Sequence, residues 1–328
     1  MTFPLTIARG ALSRAGELFD LQRKVMVVTG EGVPQQYARA VLSRCGDGHL
    51  LILPEGEGNK TLASVETILN ALLEQEFTRS DAVVAVGGGV IGDTAGFAAA
   101  CYMRGIDWYN VPTTLLSQAD SSVGGKTGVN LAGVKNIVGA FRQPAGVLID
   151  PDVLDTLSPR LLAEGLAEII KMAASCDADL FRILEETGEL RPRMEEILER
   201  ALRIKLGIVD ADPEEHGLRS VLNFGHTVGH AVEAAGSEAV FYHGEAVAVG
   251  MLYMSSGEAR ERIGALLKRF GLPTEDPFSA EELMTFAMHD KKKRGNGIKI
   301  VTVDTIGSYN FKEIDAEELE NIIKARKI

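Results

Sequence analysis

The first half of the chain alternates short apolar runs with stretches whose apolar positions recur every three or four residues. Lys24–Thr29, Leu50–Leu53, Ala82–Val86, Asp107–Val111 and Val147–Ile149 read as buried strands, because an unbroken apolar run suits a strand covered on both faces. Between them, 34–44, 61–76 and 90–101 carry the helical period, and this β-α-β alternation predicts a mostly parallel sheet. From Asp150 the pattern changes. Ser158-Pro159 offers an N-cap followed by proline at the first helical position, and amphipathic stretches predict helices near 159–175, 192–210, 217–236 and 244–270. Only Ile298–Val303 and its neighbour look like strands there. The expected architecture is α/β: a Rossmann-like, mostly parallel domain over 1–150, then a mainly α-helical domain over 151–328, with an active site in the cleft between them.

Composition limits what such a chain can do. Its 328 residues, 45% hydrophobic, suffice for two cores. A net charge of −12 argues against partners that reward basic surfaces, namely nucleic acid and anionic membranes. Cys45, Cys101 and Cys176 are odd in number and far apart, as is ordinary in a reducing compartment. No run of eighteen apolar residues exists, and MTFPLTIARG lacks the basic and apolar regions of a signal peptide, so a cytoplasmic protein is expected.

Three segments carry chemistry. In GGGVIGD, Gly87, Gly89 and Gly92 follow a strand and open a helix, where backbone N–H groups can hold a pyrophosphate. The acid usually found about twenty residues on would be Asp107, which opens a strand instead of closing one, so Glu55, Glu57 and Lys60 after the second strand are better ribose candidates. Next, Arg104 to Asn136 is rich in Gly, Thr and Ser and carries Arg104, Asp120, Lys126, Lys135 and Asn136, donors suited to an anionic substrate or cofactor phosphate. The third segment is metal-like. His226 and His230 share a helix face in NFGHTVGH, His243 opens HGEAV, and Glu168 lies in apolar GLAEIIKMA, where a carboxylate is costly without a cation. Spacing leaves open whether His226 pairs with His230 or with His243, and whether Glu168 and Lys171 are simply an i,i+3 helix pair.

With GGGVIGD, VPTTLLSQADSSVGGKTGVN, NFGHTVGH and HGEAV in order, the chain resembles the 3-dehydroquinate synthases of the shikimate pathway from about Lys24 to Gly307. That resemblance implies a divalent ion, zinc or cobalt, on Glu168, His226 and His243. It implies NAD, with Glu57 and Lys60 near the adenosine end and Gly88, Gly89, Val90, Ile91, Gly92 and Asp93 along the pyrophosphate and ribose. Thr113, Thr114, Asp120, Lys126, Lys135 and the turn Val153, Leu154, Asp155, Thr156 match further cofactor positions. Asp120, Lys126, Lys171, Lys205 and His230 take the catalytic positions. Arg104, reaching across a homodimer interface, Lys126, Asn136, Lys171, Lys205, Arg219, Asn223, His230 and one lysine of the 290–292 segment, Lys292, match substrate contacts. Gly30 stands where many members have an aspartate for the adenosine ribose; Glu31 or Glu57 is the substitute to expect.

The implied reaction converts 3-deoxy-D-arabino-heptulosonate 7-phosphate to 3-dehydroquinate and phosphate, with NAD regenerated in every turnover. A substrate bearing a carboxylate and a phosphate accounts for many cations in an acidic protein. Two other enzyme classes share the plan. Sister sugar-phosphate cyclases, of the 2-deoxy-scyllo-inosose or 2-epi-valiolone synthase type, act on substrates without the carboxylate, and a metal-dependent polyol dehydrogenase would release NADH stoichiometrically. A non-enzymatic copy would have lost parts of a site that is here complete.

Overall fold

The computed structural model describes residues 3–212, 217–291 and 297–327. Lys292 lies outside them, as do the side chains of Asp290 and Lys291. The chain divides into two compact units, Met1–Ser158 and Pro159–Ile328. The sequence pattern changes at Asp150, but the packing changes at Ser158, because the 3-10 turn Pro151–Thr156 puts Val153 into the first unit's core.

In the first unit β1 (Leu5–Ile7), α1 (Ala15–Leu18), β2 (Lys24–Gly30), α2 (Gln35–Leu42), β3 (Asp47–Leu53), α3 (Leu62–Glu74), β4 (Ala82–Gly87), α4 (Gly89–Cys101), β5 (Asp107–Pro112), β6 (Lys126–Leu131), β7 (Val134–Phe141) and β8 (Gly146–Ile149) follow in order. Six strands form one sheet, β1-β8-β5-β4-β2-β3, parallel at every pairing. Side chains alternate between its faces. Val25 and Val27 pack with α2 residues Tyr37, Ala38 and Val41 on one side, while Met26 and Val28 pack with α3 and α4 on the other. Burial on both faces is why β2, β4, β5 and β8 read as unbroken apolar runs; β3, expected to be buried, is instead the edge strand, with Leu50 and Ile52 exposed. Two features exceed the expectation: the short strand β1, and the antiparallel hairpin of β6 with β7, where loops were expected.

The second unit contains α5 (Pro159–Cys176), α6 (Ala178–Glu186), α7 (Met194–Ala211), α8 (His226–Val240), α9 (His243–Tyr253), α10 (Gly257–Arg269), α11 (Ala280–Lys291), the antiparallel pair β9 (Ile298–Thr305) and β10 (Ser308–Ile314), and α12 (Ala316–Arg326). Two expected helices are broken. The helix expected over 217–236 is a 3-10 turn, Leu218–Asn223, then α8. Gly225, at φ +80°, makes the corner in a conformation that costs glycine nothing. The helix expected over 244–270 is interrupted at Met254–Ser256, where the backbone bonds Val303 on β9 instead of continuing its own ladder. Glycine also sets helix spacing: a Cβ on Gly250 of α9 would sit 2.0 Å from the Gly225 carbonyl oxygen, and one on Gly244 would sit 2.2 Å from that of Glu164 on α5.

Candidate active site

In the first unit β4 ends at Gly87 and α4 begins at Gly89. A Cβ on Gly87 would lie 2.7 Å from Ile91, one on Gly88 3.1 Å from Thr114 and one on Gly89 3.2 Å from Ser121. The glycines therefore let the turn close against Thr114 and Ser121, and they leave the N–H groups of the first α4 turn at a helix N-terminus that favours anions. Thr113 N–H donates to the Gly87 carbonyl at 2.9 Å, so Gly88, Gly89, Val90, Ile91, Gly92, Asp93, Thr113 and Thr114 form one contiguous patch.

Lys60 is buried beside it. Its Nζ lies 2.6 Å from Asp93 Oδ2 and 2.6 Å from Asn136 Oδ1. The backbone N–H of Asn136, at φ +53°, donates to Asn130 Oδ1 at 2.8 Å, and Asn130 Nδ2 donates to Glu57 Oε1 at 2.8 Å. The hairpin is thereby tied to the glycine turn through Glu57, Asn130, Asn136, Lys60 and Asp93, which joins residues expected on cofactor and on substrate into one network. Asn130, the last residue of VPTTLLSQADSSVGGKTGVN, was not anticipated as a site residue. Lys126 and Lys135 are exposed on the hairpin and Asp120 is half-buried before it. Arg104 is exposed at φ +69° after Met103 at φ +49°. Val153 and Thr156 are held by the Tyr37 hydroxyl. Gly30 ends β2 with Ile91 Cδ1 3.4 Å from where a Cβ would stand.

In the second unit Glu168 and Lys171, one turn apart on α5, are both buried, and Lys171 Nζ donates to Glu168 Oε2. Glu168 Oε1 faces His243 Nε2 at 3.5 Å and His226 Nε2 at 3.8 Å. Ligand atoms of Glu168, His226 and His243 lie within 4.8 Å of one another; a second such group, His230, Glu233 and His243, shares the last imidazole. His226 Nδ1 lies 3.2 Å from the Phe224 carbonyl and His243 Nδ1 3.0 Å from Glu233 Oε2. Both rings thus turn Nε2 toward Glu168. Glu168 Oε1 is buried with no hydrogen-bond partner among the described residues. An orphaned carboxylate oxygen facing two imidazole nitrogens is a donor set that fits a divalent cation with coordination positions to spare.

The electrostatics agree. Burial alone would raise the Glu168 pKa, but Lys171 and the two imidazoles outweigh it and hold the carboxyl well below its ordinary range. Burial, reinforced by Lys171, holds His226 well below an ordinary imidazole. Burial opposes a charge on His243 too, yet the facing carboxylates of Glu168 and Glu233 prevail and raise it to about 10.

Lys205 on α7 and Arg219 in the 3-10 turn are buried, and α5, α7 and that turn pack on one another. Asn223 and His230 are exposed. Two supporting pairs were not anticipated: Glu233 on His243, and Arg160, which grips Glu245 at 2.6 and 2.7 Å and covers the Tyr242 ring at 3.9 Å, pinning the start of α9.

This fold is shared with solved sugar phosphate cyclases. A 2-epi-5-epi-valiolone synthase from Streptomyces hygroscopicus, solved with NAD+ and Zn2+ bound, matches with a TM-score of 0.89 at 27% identity, covering 99% of this chain and 96% of that one. A 2-deoxy-scyllo-inosose synthase complexed with carbaglucose-6-phosphate, NAD+ and Co2+ matches with a TM-score of 0.87 at 25% identity and the same coverage. Sequence is more specific. Models of the N-terminal and C-terminal parts of 3-dehydroquinate synthase match residues 50–164 and 165–293, and the 3-dehydroquinate synthase of Enterococcus faecalis is 42% identical over 97% of this chain and 94% of that protein. The chain belongs to the 3-dehydroquinate synthase family.

Proposed function

We propose that the protein is a phosphate-eliminating cyclase, a carbon–oxygen lyase that converts 3-deoxy-D-arabino-heptulosonate 7-phosphate to 3-dehydroquinate and phosphate in the shikimate pathway. The observation that carries this reading is the buried Glu168, His226 and His243 cluster, with its orphaned carboxylate oxygen, in a chain 42% identical to a named synthase. When bound, NAD would supply a reversible hydride acceptor and a zinc or cobalt ion on that cluster a Lewis acid.

The chain's own groups do the rest. The α4 N-terminus and the Gly87–Gly89 turn receive the pyrophosphate, with Thr113, Thr114 and Asp93 beside it and Glu57 toward the adenosine. Asp120, Lys126 and Lys135 line the approach from the hairpin side. Lys205 and Arg219, buried cations in an acidic protein, hold the substrate's anionic ends, assisted by Asn223 and Arg104. Lys171 and His230 orient hydroxyls and move protons. Oxidation at C5 acidifies the C6 proton, phosphate leaves by β-elimination, the ketone is reduced again, and the opened ring closes through an intramolecular aldol step. The balance is loss of phosphate with no net redox change. Identity favours this substrate over those of the two sister cyclases above, which stand at 25% and 27%, and two buried cations suit its carboxylate.

We also assign a homodimer in the cytoplasm, without nucleic-acid or membrane partners. Supporting it, Ile137 and Phe141 on β7 are 57% and 75% exposed, an apolar edge suited to a second copy. Among the described residues no helix is long and apolar enough to cross a membrane. The test is phosphate release with zinc or cobalt and catalytic NAD. Many turnovers without NADH accumulation, abolished by a chelator, support the cyclase; stoichiometric NADH from a polyol without phosphate release would overturn it.

A further inference from the structure

The two imidazoles of the cluster are oriented by different means. His226 Nδ1 meets the Phe224 carbonyl at 3.2 Å, a backbone group that no substitution removes. His243 Nδ1 meets a side chain, Glu233 Oε2, at 3.0 Å, and Glu233 is itself 12% exposed. Glu233 lies on α8 with His226, seven residues on, while His243 opens α9. The close approach of α8 and α9 at Gly229 and Gly250 brings the carboxylate to the ring. A hydrogen bond accepted from Nδ1–H fixes the tautomer with its lone pair on Nε2, aims that lone pair, and makes it a better donor.

We propose that Glu233 is a positioning residue for the cation site: it holds the His243 ring with Nε2 toward Glu168 and so sets divalent-cation affinity without being a ligand. The inference rests on the reading of Glu168, His226 and His243 as ligands. The same geometry admits a rival, since His230, Glu233 and His243 also group closely; there Glu233 would bind a cation directly through a second site.

The experiment is titration of chelator-stripped full-length protein with Zn2+ against a competing chelating dye, and with Co2+ followed by its visible ligand-field bands. Wild type, Glu233→Gln, Glu233→Asp and Glu233→Leu are compared. Wild type should bind one ion per chain. Glu233→Leu should still bind one, with roughly 10- to 100-fold weaker affinity and activity restored by excess metal at an unchanged KM for the sugar phosphate. Glu233→Gln, which still accepts the bond but lacks the charge, should fall between, and Glu233→Asp should recover part of the loss. Unchanged affinity in both Leu and Gln variants refutes the positioning role while leaving the cluster intact. Two ions in wild type, one lost in Glu233→Leu, make Glu233 a ligand and refute it equally. A wild-type protein that takes up no cation instead overturns the ligand assignment itself. Circular dichroism of each stripped variant separates misfolding from weakened binding, and His243→Ala, expected to take up none, anchors the zero of the scale.

Discussion

Around Gly87–Gly89 the first unit offers backbone: three glycines, a helix start and one buried ion pair tying the hairpin down. Around Glu168 the second unit offers side chains: a carboxylate, two imidazoles and an ammonium, enclosed by helices that glycines bring close. A backbone site is pre-formed by strand and helix and demands of its side chains mainly that they be small. A side-chain site gathers charged groups in a core, and needs supporting groups such as Glu233 to orient each member. The first should fail by losing its shape, the second by losing its charge.

The sharpest break of that contrast is His243→Ala. It should abolish cation uptake and lower turnover at least about a thousandfold, the worth of several kcal/mol of Lewis-acid stabilisation, while NAD titration of the first unit is unchanged. Metal analysis and a phosphate assay decide it, and an active, metal-free variant refutes the ligand assignment. Next comes Lys60→Met, which leaves Asp93 and Asn136 without their buried cation. Breaking such a pair costs about 3–5 kcal/mol when it is fully buried and less here, where the Asp93 side chain is 19% exposed; NAD affinity should fall with cation binding intact, as fluorescence titration and a chelator assay can show.

Gly250→Ala tests whether the second unit also depends on backbone. A Cβ 2.0 Å from the Gly225 oxygen forces α8 from α9, at about 1–3 kcal/mol, readable as a lower urea midpoint; no change would mean the helices adjust freely. The smallest effect concerns Glu164, whose carboxyl burial pushes up to about 7 against its ordinary 4.5. Because the folded-state value is raised, folding favours the protonated form. Its stabilising share is complete below pH 4.5 and is lost as pH climbs through about 7. In the metal-free protein Glu164→Gln should remove that part of the pH slope. Identical slopes between pH 5 and 8 for the two proteins would refute this.

The contrast also explains what could be read in advance. Strands buried on both faces declare themselves as apolar runs, so β2, β4 and β5 were legible. The hairpin was not, because Gly128 and Gly139 face each other across it at distances that exclude a side chain, so the apolar alternation of a strand is missing. The break after Tyr253 was hidden because its cause, pairing with Val303, lies fifty residues away. In the second site the residue types were plain, but spacing gave His226 two candidate partners. Geometry groups it with His243 because α9 folds back along α8, a non-local fact. Glu233 left one trace, a place on the same helix face as His226 and His230.

The sheet order also has a consequence for a chain still on the ribosome. β8, the last strand of the first unit to be made, lies between β5 and β1, the first. Until residue 149 emerges, β1 has no neighbour and β5 keeps an open edge, the kind of surface that invites foreign pairing. The sheet is thus completed from its interior, and its earliest strand must wait for its latest.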